Sequence, residues 1–189
     1  MSARSLRLVS QPAPAPVDRD GPALARVAAG DMGALGEVYD RHAQTIFRFA
    51  ARAVGPEDAQ DVMQTTFLRV AKLAHTYDNR GTNARAWLFG IAVRVLRERR
   101  RSLFRFGRAL MRLGESASDI DARDPGARAD LERGLRNLSD TKRVALILAE
   151  VEGFSGEEIA QMLDVPIGTV WTRLHHARKE LRAFCGEEP

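Results

Sequence analysis

Apolar residues recur at three- and four-residue steps along most of the chain, and nowhere does a convincing run of strict alternation mark a strand. Leu35, Val38, Tyr39, Ile46, Phe49 and Ala50 form one broad helical stripe, and Asp31 stands where it can cap that helix. Gly55-Pro56 breaks it. A second helix is predicted from near Pro56, with Val62, Met63, Phe67, Val70 and Leu73 on its apolar face. Turn-forming residues fill Tyr77–Asn83, and a third helix is predicted over about Ala84–Arg101. The pattern becomes helical again over Leu131–Cys185. The first twenty residues are polar and carry a Pro-Ala alternation at Pro12–Pro16, which cannot nucleate a helix.

The segment Ser155–Arg182 has the most specific local signature. Ser155 followed by Glu158 is a capping box, and Ile159, Met162 and Leu163 then share one face. Asp164 sits where the chain must turn, since aspartate tolerates the left-handed conformation better than most residues. Pro166 cannot continue the helix before it. A second helix is predicted from near Gly168-Thr169, burying Val170, Leu174, Ala177 and Leu181. This is a helix-turn-helix, and its second helix offers Thr172, Arg173 and His176 at the end that enters a major groove. The predicted fold class is all-α, two small helical domains joined by a flexible acidic linker, the C-terminal one a helix-turn-helix. The expected boundaries are a disordered arm at 1–20, a first domain at 21–104, a linker at 105–130 and a second domain at 131–186.

Charge sharpens this division. Net charge is only +4, but 26 of the 29 basic residues in this 189-residue chain are arginine, whose planar fork suits phosphate and guanine. Codon bias would also enrich arginine, so position matters more than number. Residues 80–112 hold ten arginines and one acid, whereas residues 115–132 hold six acids and two arginines, a linker composition. On a wheel with Ile91 at zero, Leu88, Ala92 and Val95 fall within about 100° of it, while Arg94, Arg97 and Arg101 cluster between about 240° and 300°. One helix therefore packs on its domain and presents a guanidinium ridge to a phosphate backbone. A solvated face or an acidic membrane surface is the alternative use of such a ridge. The loop before it, with Tyr77, Asn79, Arg80 and Asn83, offers stacking surfaces and amide edges to unpaired bases. Trp87 borders the apolar arc and is read as core.

Catalytic and metal chemistry find little support. A single cysteine, Cys185, excludes an intramolecular disulfide and a multi-cysteine zinc site. His175 and His176 are adjacent on a helix with no carboxylate cluster to complete a metal site. His42 and His75 have no neighbouring Ser, Cys or Asp in an activating arrangement, and no glycine-rich phosphate loop is present. The start lacks an apolar core of secretory length, so the expected compartment is reducing cytoplasm.

Four stretches together resemble the extracytoplasmic-function (ECF) group of the sigma-70 family of bacterial RNA polymerase sigma factors: Asp31–Phe49, Glu57–Arg69, Ala86–Arg101 and Ile159–Arg182. The resemblance spans about residues 22–184. It implies a transcription initiation factor that is not an enzyme and needs no cofactor, with core RNA polymerase and promoter DNA as partners. An anti-sigma factor is a common further partner in the family, and no small-molecule substrate is implied. By resemblance, Asp58, Asp61, Gln64 and Phe67 grip the polymerase. Tyr77, Asn79, Arg80, Asn83, Arg94, Arg97 and Arg101 would read and melt the minus-ten element. Thr169, Trp171, Thr172, Arg173, His176 and Lys179 would read the minus-thirty-five element as a duplex. Thr65, Arg94, Glu98 and Trp171 depart from the residues usual in the family. The alternative function is a free-standing helix-turn-helix transcriptional regulator, which accounts for Ser155–Arg182 but not for the arginine ridge beside an aromatic, Asn-containing loop.

Overall fold

The computed structural model describes residues 20–78, 83–112 and 133–184, with side chains as far as Arg101 in the second stretch. Those residues are helical throughout, with no strand among them. In chain order the helices are α1 (Gly21–Ala28), α2 (Met32–Val54), α3 (Pro56–Leu73), α4 (Ala84–Arg112), α5 (133–137), α6 (Asp140–Leu146), α7 (Gly156–Leu163) and α8 (Ile167–Phe184). A short 3₁₀ turn, Ala74–Thr76, follows α3, and α6 widens into a π turn over Ile147–Val151.

Local chemistry sets most of these ends. Asp31 caps α2 by accepting from the Ala34 N–H at 3.1 Å. Arg26 and that amide both hold the Asp31 carboxyl below the usual range, the amide contributing more. Gly55 adopts φ +98 between α2 and α3, a conformation that L side chains rarely take, and Pro56 starts the next helix where its missing N–H does no harm. The Ser155/Glu158 capping box opens α7, and Asp164 closes it in the left-handed region. Helix α8 then begins at Ile167, directly after Pro166 and slightly ahead of Gly168-Thr169. Helix α4 extends to Arg112, past the predicted end at Arg101, through a stretch rich in the good helix formers Arg, Leu, Ala and Met with no proline to stop it.

Helices α1–α4 form an N-terminal head around Leu24, Val38, Ile46, Phe49, Val62 and Val70. The C-terminal head, α5–α8, packs around Ile147, Leu148, Ile159 and Leu174. The two predicted units are present, but they are not separate bodies. Their buried residues form one continuous core, and Phe49, Phe89 and Phe154 make an aromatic ladder across the seam with centroid spacings of 5.2 and 4.9 Å. Gly90 leaves ordinary van der Waals room for Met162, so α4 and α7 approach closely.

Within the helix-turn-helix, the Trp171 indole lies across the start of α7. An ideal Cβ on Gly156 would sit 2.6 Å from Cζ2 of that ring. We expect Gly156→Ala to push the half-exposed indole outward, with a stability loss of about 1 kcal/mol. A red shift of Trp171 emission in a Trp87→Phe background, together with urea unfolding, would test this.

Candidate nucleic-acid interface

On α8, Thr172, His175, His176 and Lys179 fall within about 100° of one another and are exposed. Trp171 lies at the edge of that arc, 51% exposed, and Thr169 is partly covered beside it. The Thr172 hydroxyl donates to the Gly168 carbonyl at 2.9 Å, which fixes its rotamer. His175 belongs to this face too, although the sequence reading did not count it among the DNA contacts. Arg173 lies about 100° further round and turns away from the exposed face toward α4. Arg178 is held by Glu150 at 2.6 Å, so it is not a free member of the face.

The arginine ridge on α4 divides in the same way. Arg94 and Arg101 are exposed. Arg97 instead reaches across the seam and donates to the Leu163 carbonyl at 2.6 Å. Burial, then the charges of Arg173, Arg101 and Arg94, push its pKa down, while Asp164 opposes the shift. Asn83 caps α4 by accepting from the Ala86 N–H at 2.8 Å, and its amide nitrogen donates to Glu158 at 2.8 Å. Tyr77 packs edge-on to the half-buried Trp87 at 5.5 Å, so neither ring is fully open. Asn79 and Arg80 lie outside the described residues.

A second surface of the N-terminal head lies between α2 and α3. Tyr39, Gln44, Phe47, Gln60 and Met63 line an open groove of about 390 Å³ between α2 and α3. Asp61, Gln64 and Leu68 are exposed next to it, within about 60° of each other on α3. Phe67, expected to grip the polymerase directly, is only 5% exposed and supports Tyr39 from below at 4.8 Å. The α2 side of this groove was missed in the sequence, where Tyr39 was counted as stripe and Phe47 was not singled out. Arg99 comes back from α4 to bind Asp58 at 2.6 Å and also pairs with Asp61. Arg69 pairs with Glu98 in the reverse direction, which holds the Glu98 carboxyl below its ordinary range. These α3–α4 ion pairs thus tie this surface to α4.

The seam is also tied by contacts with no part in either surface, among them Arg143, which donates to the Ala53 carbonyl at 3.0 Å. Arg85 donates to the Glu152 carbonyl at 2.9 Å and its carboxylate at 2.8 Å, and stacks over Phe154 at 4.3 Å. Burial raises the Glu152 pKa against the pull of Arg85 and Arg52. A carboxyl whose folded pKa is raised takes up its proton more readily in the native state. It therefore adds stability as pH falls through the raised value, and that contribution is lost as pH rises. We expect wild type to gain stability relative to Glu152→Gln on going from about pH 7 to pH 5. Parallel urea titrations of the two proteins across that range would check it.

Among the described residues no group of three His, Cys, Asp or Glu is placed to hold a metal, and no helix is long and apolar enough to cross a membrane.

Sigma-70 region 2 matches residues 38–120 and Sigma-70 region 4 matches residues 128–181. The ECF RNA polymerase sigma factor SigE of Mycolicibacterium smegmatis is 34% identical over 174 residues, covering 85% of this chain and 66% of that protein. SigL of Mycobacterium tuberculosis, also an ECF RNA polymerase sigma factor, is 32% identical over 173 residues, covering 87% of this chain and 97% of SigL. The solved structure of the sigma factor RpoE from Bartonella quintana, in complex with the anti-sigma factor NepR, superposes with a TM-score of 0.67 at 25% identity, covering 82% of this chain and 98% of that one. With both sigma-70 regions matched in order, and a relative aligned over nearly its full length, the chain belongs to the ECF group of RNA polymerase sigma factors.

Proposed function

We propose that this chain binds core RNA polymerase through the α2–α3 groove and directs it to promoters, reading a melted minus-ten element with α4 and a duplex minus-thirty-five element with α8. It carries no catalysis of its own and acts in the cytoplasm, where an anti-sigma factor is its natural antagonist. The observation that carries this reading is the pairing of two different surfaces on one head. An arginine ridge with an Asn-capped start lies on α4, and a separate groove between α2 and α3 is edged by Asp61, Gln64 and Leu68. A duplex-reading regulator needs only the exposed face of α8.

In the proposed division of labour, Asp58, Asp61 and Gln64 meet the polymerase, with Phe67 acting through Tyr39. Arg94, Arg97 and Arg101 follow the non-template strand, and Asn79, Arg80 and Asn83 with Tyr77 hold a base flipped from it. Thr169, Trp171, Thr172, Arg173, His176 and Lys179 face the upstream duplex, with His175 added. Because Arg97, Asn83 and Arg173 all lie at the seam in the structure, the heads must part before either element is read.

Two variants test the reading. Asp61→Arg should lose core polymerase in a pull-down while keeping its helix content. Arg173→Ala should lose about 1–3 kcal/mol of discrimination between matched and scrambled upstream duplexes. Unchanged polymerase capture by the first would remove α3 from the docking surface. Equal losses on both duplexes by the second would make Arg173 a phosphate contact.

A further inference from the structure

The seam encloses a cleft of about 60 Å³ where the end of α2 and the middle of α4 meet α6, α7 and α8. Its walls are mostly apolar, from Val93, Leu96, Val144 and Leu163, yet Arg97, Arg100 and Arg173 also line it. Asp140 is the one carboxylate lining it among the described residues, and Arg100 already pairs with it. Arg173 Nη1 is shielded from solvent and has no acceptor among the described residues. Arg97 is satisfied at one nitrogen by the Leu163 carbonyl and is repelled by Arg173. Two guanidinium groups thus share an apolar cleft with no carboxylate bonded to either. A shielded guanidinium N–H with no acceptor calls for a water or an ion.

We propose that this cleft is an oxyanion site, taking a phosphate-class anion that accepts hydrogen bonds from Arg97 and Arg173 together. The guanidinium fork matches such an anion, and charge-assisted bonds to it are the strong kind. The volume holds a few waters or one tetrahedral ion, so a nucleotide would enter by its terminal phosphate only. The occupant bridges α4 to α8 and therefore fastens one head to the other. The site rests on the cleft alone. Its competition with promoter DNA rests on the function proposed above.

The test uses the full chain in phosphate-free buffer, titrated with orthophosphate or with ADP while sodium chloride holds ionic strength constant. Thermal unfolding is followed for wild type, Arg173→Gln, Arg97→Gln and, as a control away from the cleft, Arg178→Gln. Phosphate stabilises many proteins by exclusion from their surfaces, and that effect is common to all four. We expect a saturable rise in melting temperature in wild type and Arg178→Gln that is absent from both cleft variants. Without anion, Arg173→Gln should melt at or above wild type, because an N–H with no acceptor has been removed. A response to orthophosphate alone identifies the free ion, and an equal or stronger response to ADP identifies a terminal phosphate. The same shift in all four proteins, or no saturable shift in wild type, would overturn the site. Saturable phosphate binding that leaves affinity for upstream duplex unchanged would uphold the site and count against Arg173 as a DNA contact.

Discussion

Truncating Phe67 to alanine should lower folding stability by about 3–5 kcal/mol, the usual range for deleting a buried aromatic ring. The ring is 5% exposed and meets Tyr39 edge-on at 4.8 Å, while Met63 beside it is equally part of the core. Removing it leaves a void beneath the α2–α3 groove and frees Tyr39, so polymerase affinity should fall together with stability. Asp61→Arg separates the two effects. Asp61 is exposed and shares Arg99 with Asp58, so reversing its charge should change stability far less while acting directly on docking. Urea unfolding of both variants checks the contrast. A change within about 0.5 kcal/mol for Phe67→Ala would mean that the ring is a surface residue after all.

Glu152→Lys should open the molecule. The Glu152 side chain is 6% exposed and accepts from the Arg85 guanidinium, and a lysine there places two cations together. Removing one partner of a buried pair is costly because the other is left uncompensated, although the 36% exposure of Arg85 moderates the effect. Neither residue belongs to a proposed DNA or polymerase surface, so the consequence for DNA reading is indirect. If the closed arrangement hides Arg97 and Arg173, the free protein should gain tenfold or more in affinity for upstream duplex, equivalent to about 1.4 kcal/mol of relief from closure. Its radius of gyration in small-angle scattering should rise at the same time. An unchanged radius with unchanged affinity would show that this tie does not hold the heads together.

These expectations draw unequally on the sequence. The caps at Asp31 and Ser155, the left-handed Asp164 and the buried set Val170, Leu174 and Ala177 were legible because each depends on residues within one or two turns. The two-headed, all-helical plan followed from the same local patterns and from the switch of charge near residue 113. The seam was not legible. Arg85 and Glu152 are 67 residues apart, Arg97 and Leu163 are 66 apart, and nothing in either neighbourhood announces the other. A wheel puts Arg97 on the same ridge as Arg94 and Arg101, but it cannot tell that α7 ends above only one of them. Phe67 misled for a related reason. Periodicity assigns it correctly to the apolar face, whereas the family resemblance draws it toward the surface. The groove needs α2 and α3 side by side, so its α2 wall emerges only from the fold.

Run-off transcription is the most direct measurement of the central claim. Core RNA polymerase is supplied with the purified chain and a pool of promoter fragments, and the 5′ ends of the transcripts are sequenced. The account predicts that adding the chain produces discrete start sites preceded by a shared pair of upstream elements. Asp61→Arg should abolish those starts, and Arg173→Ala should blur the more distant element. Core polymerase that starts no more specifically with the chain than without it would contradict the account.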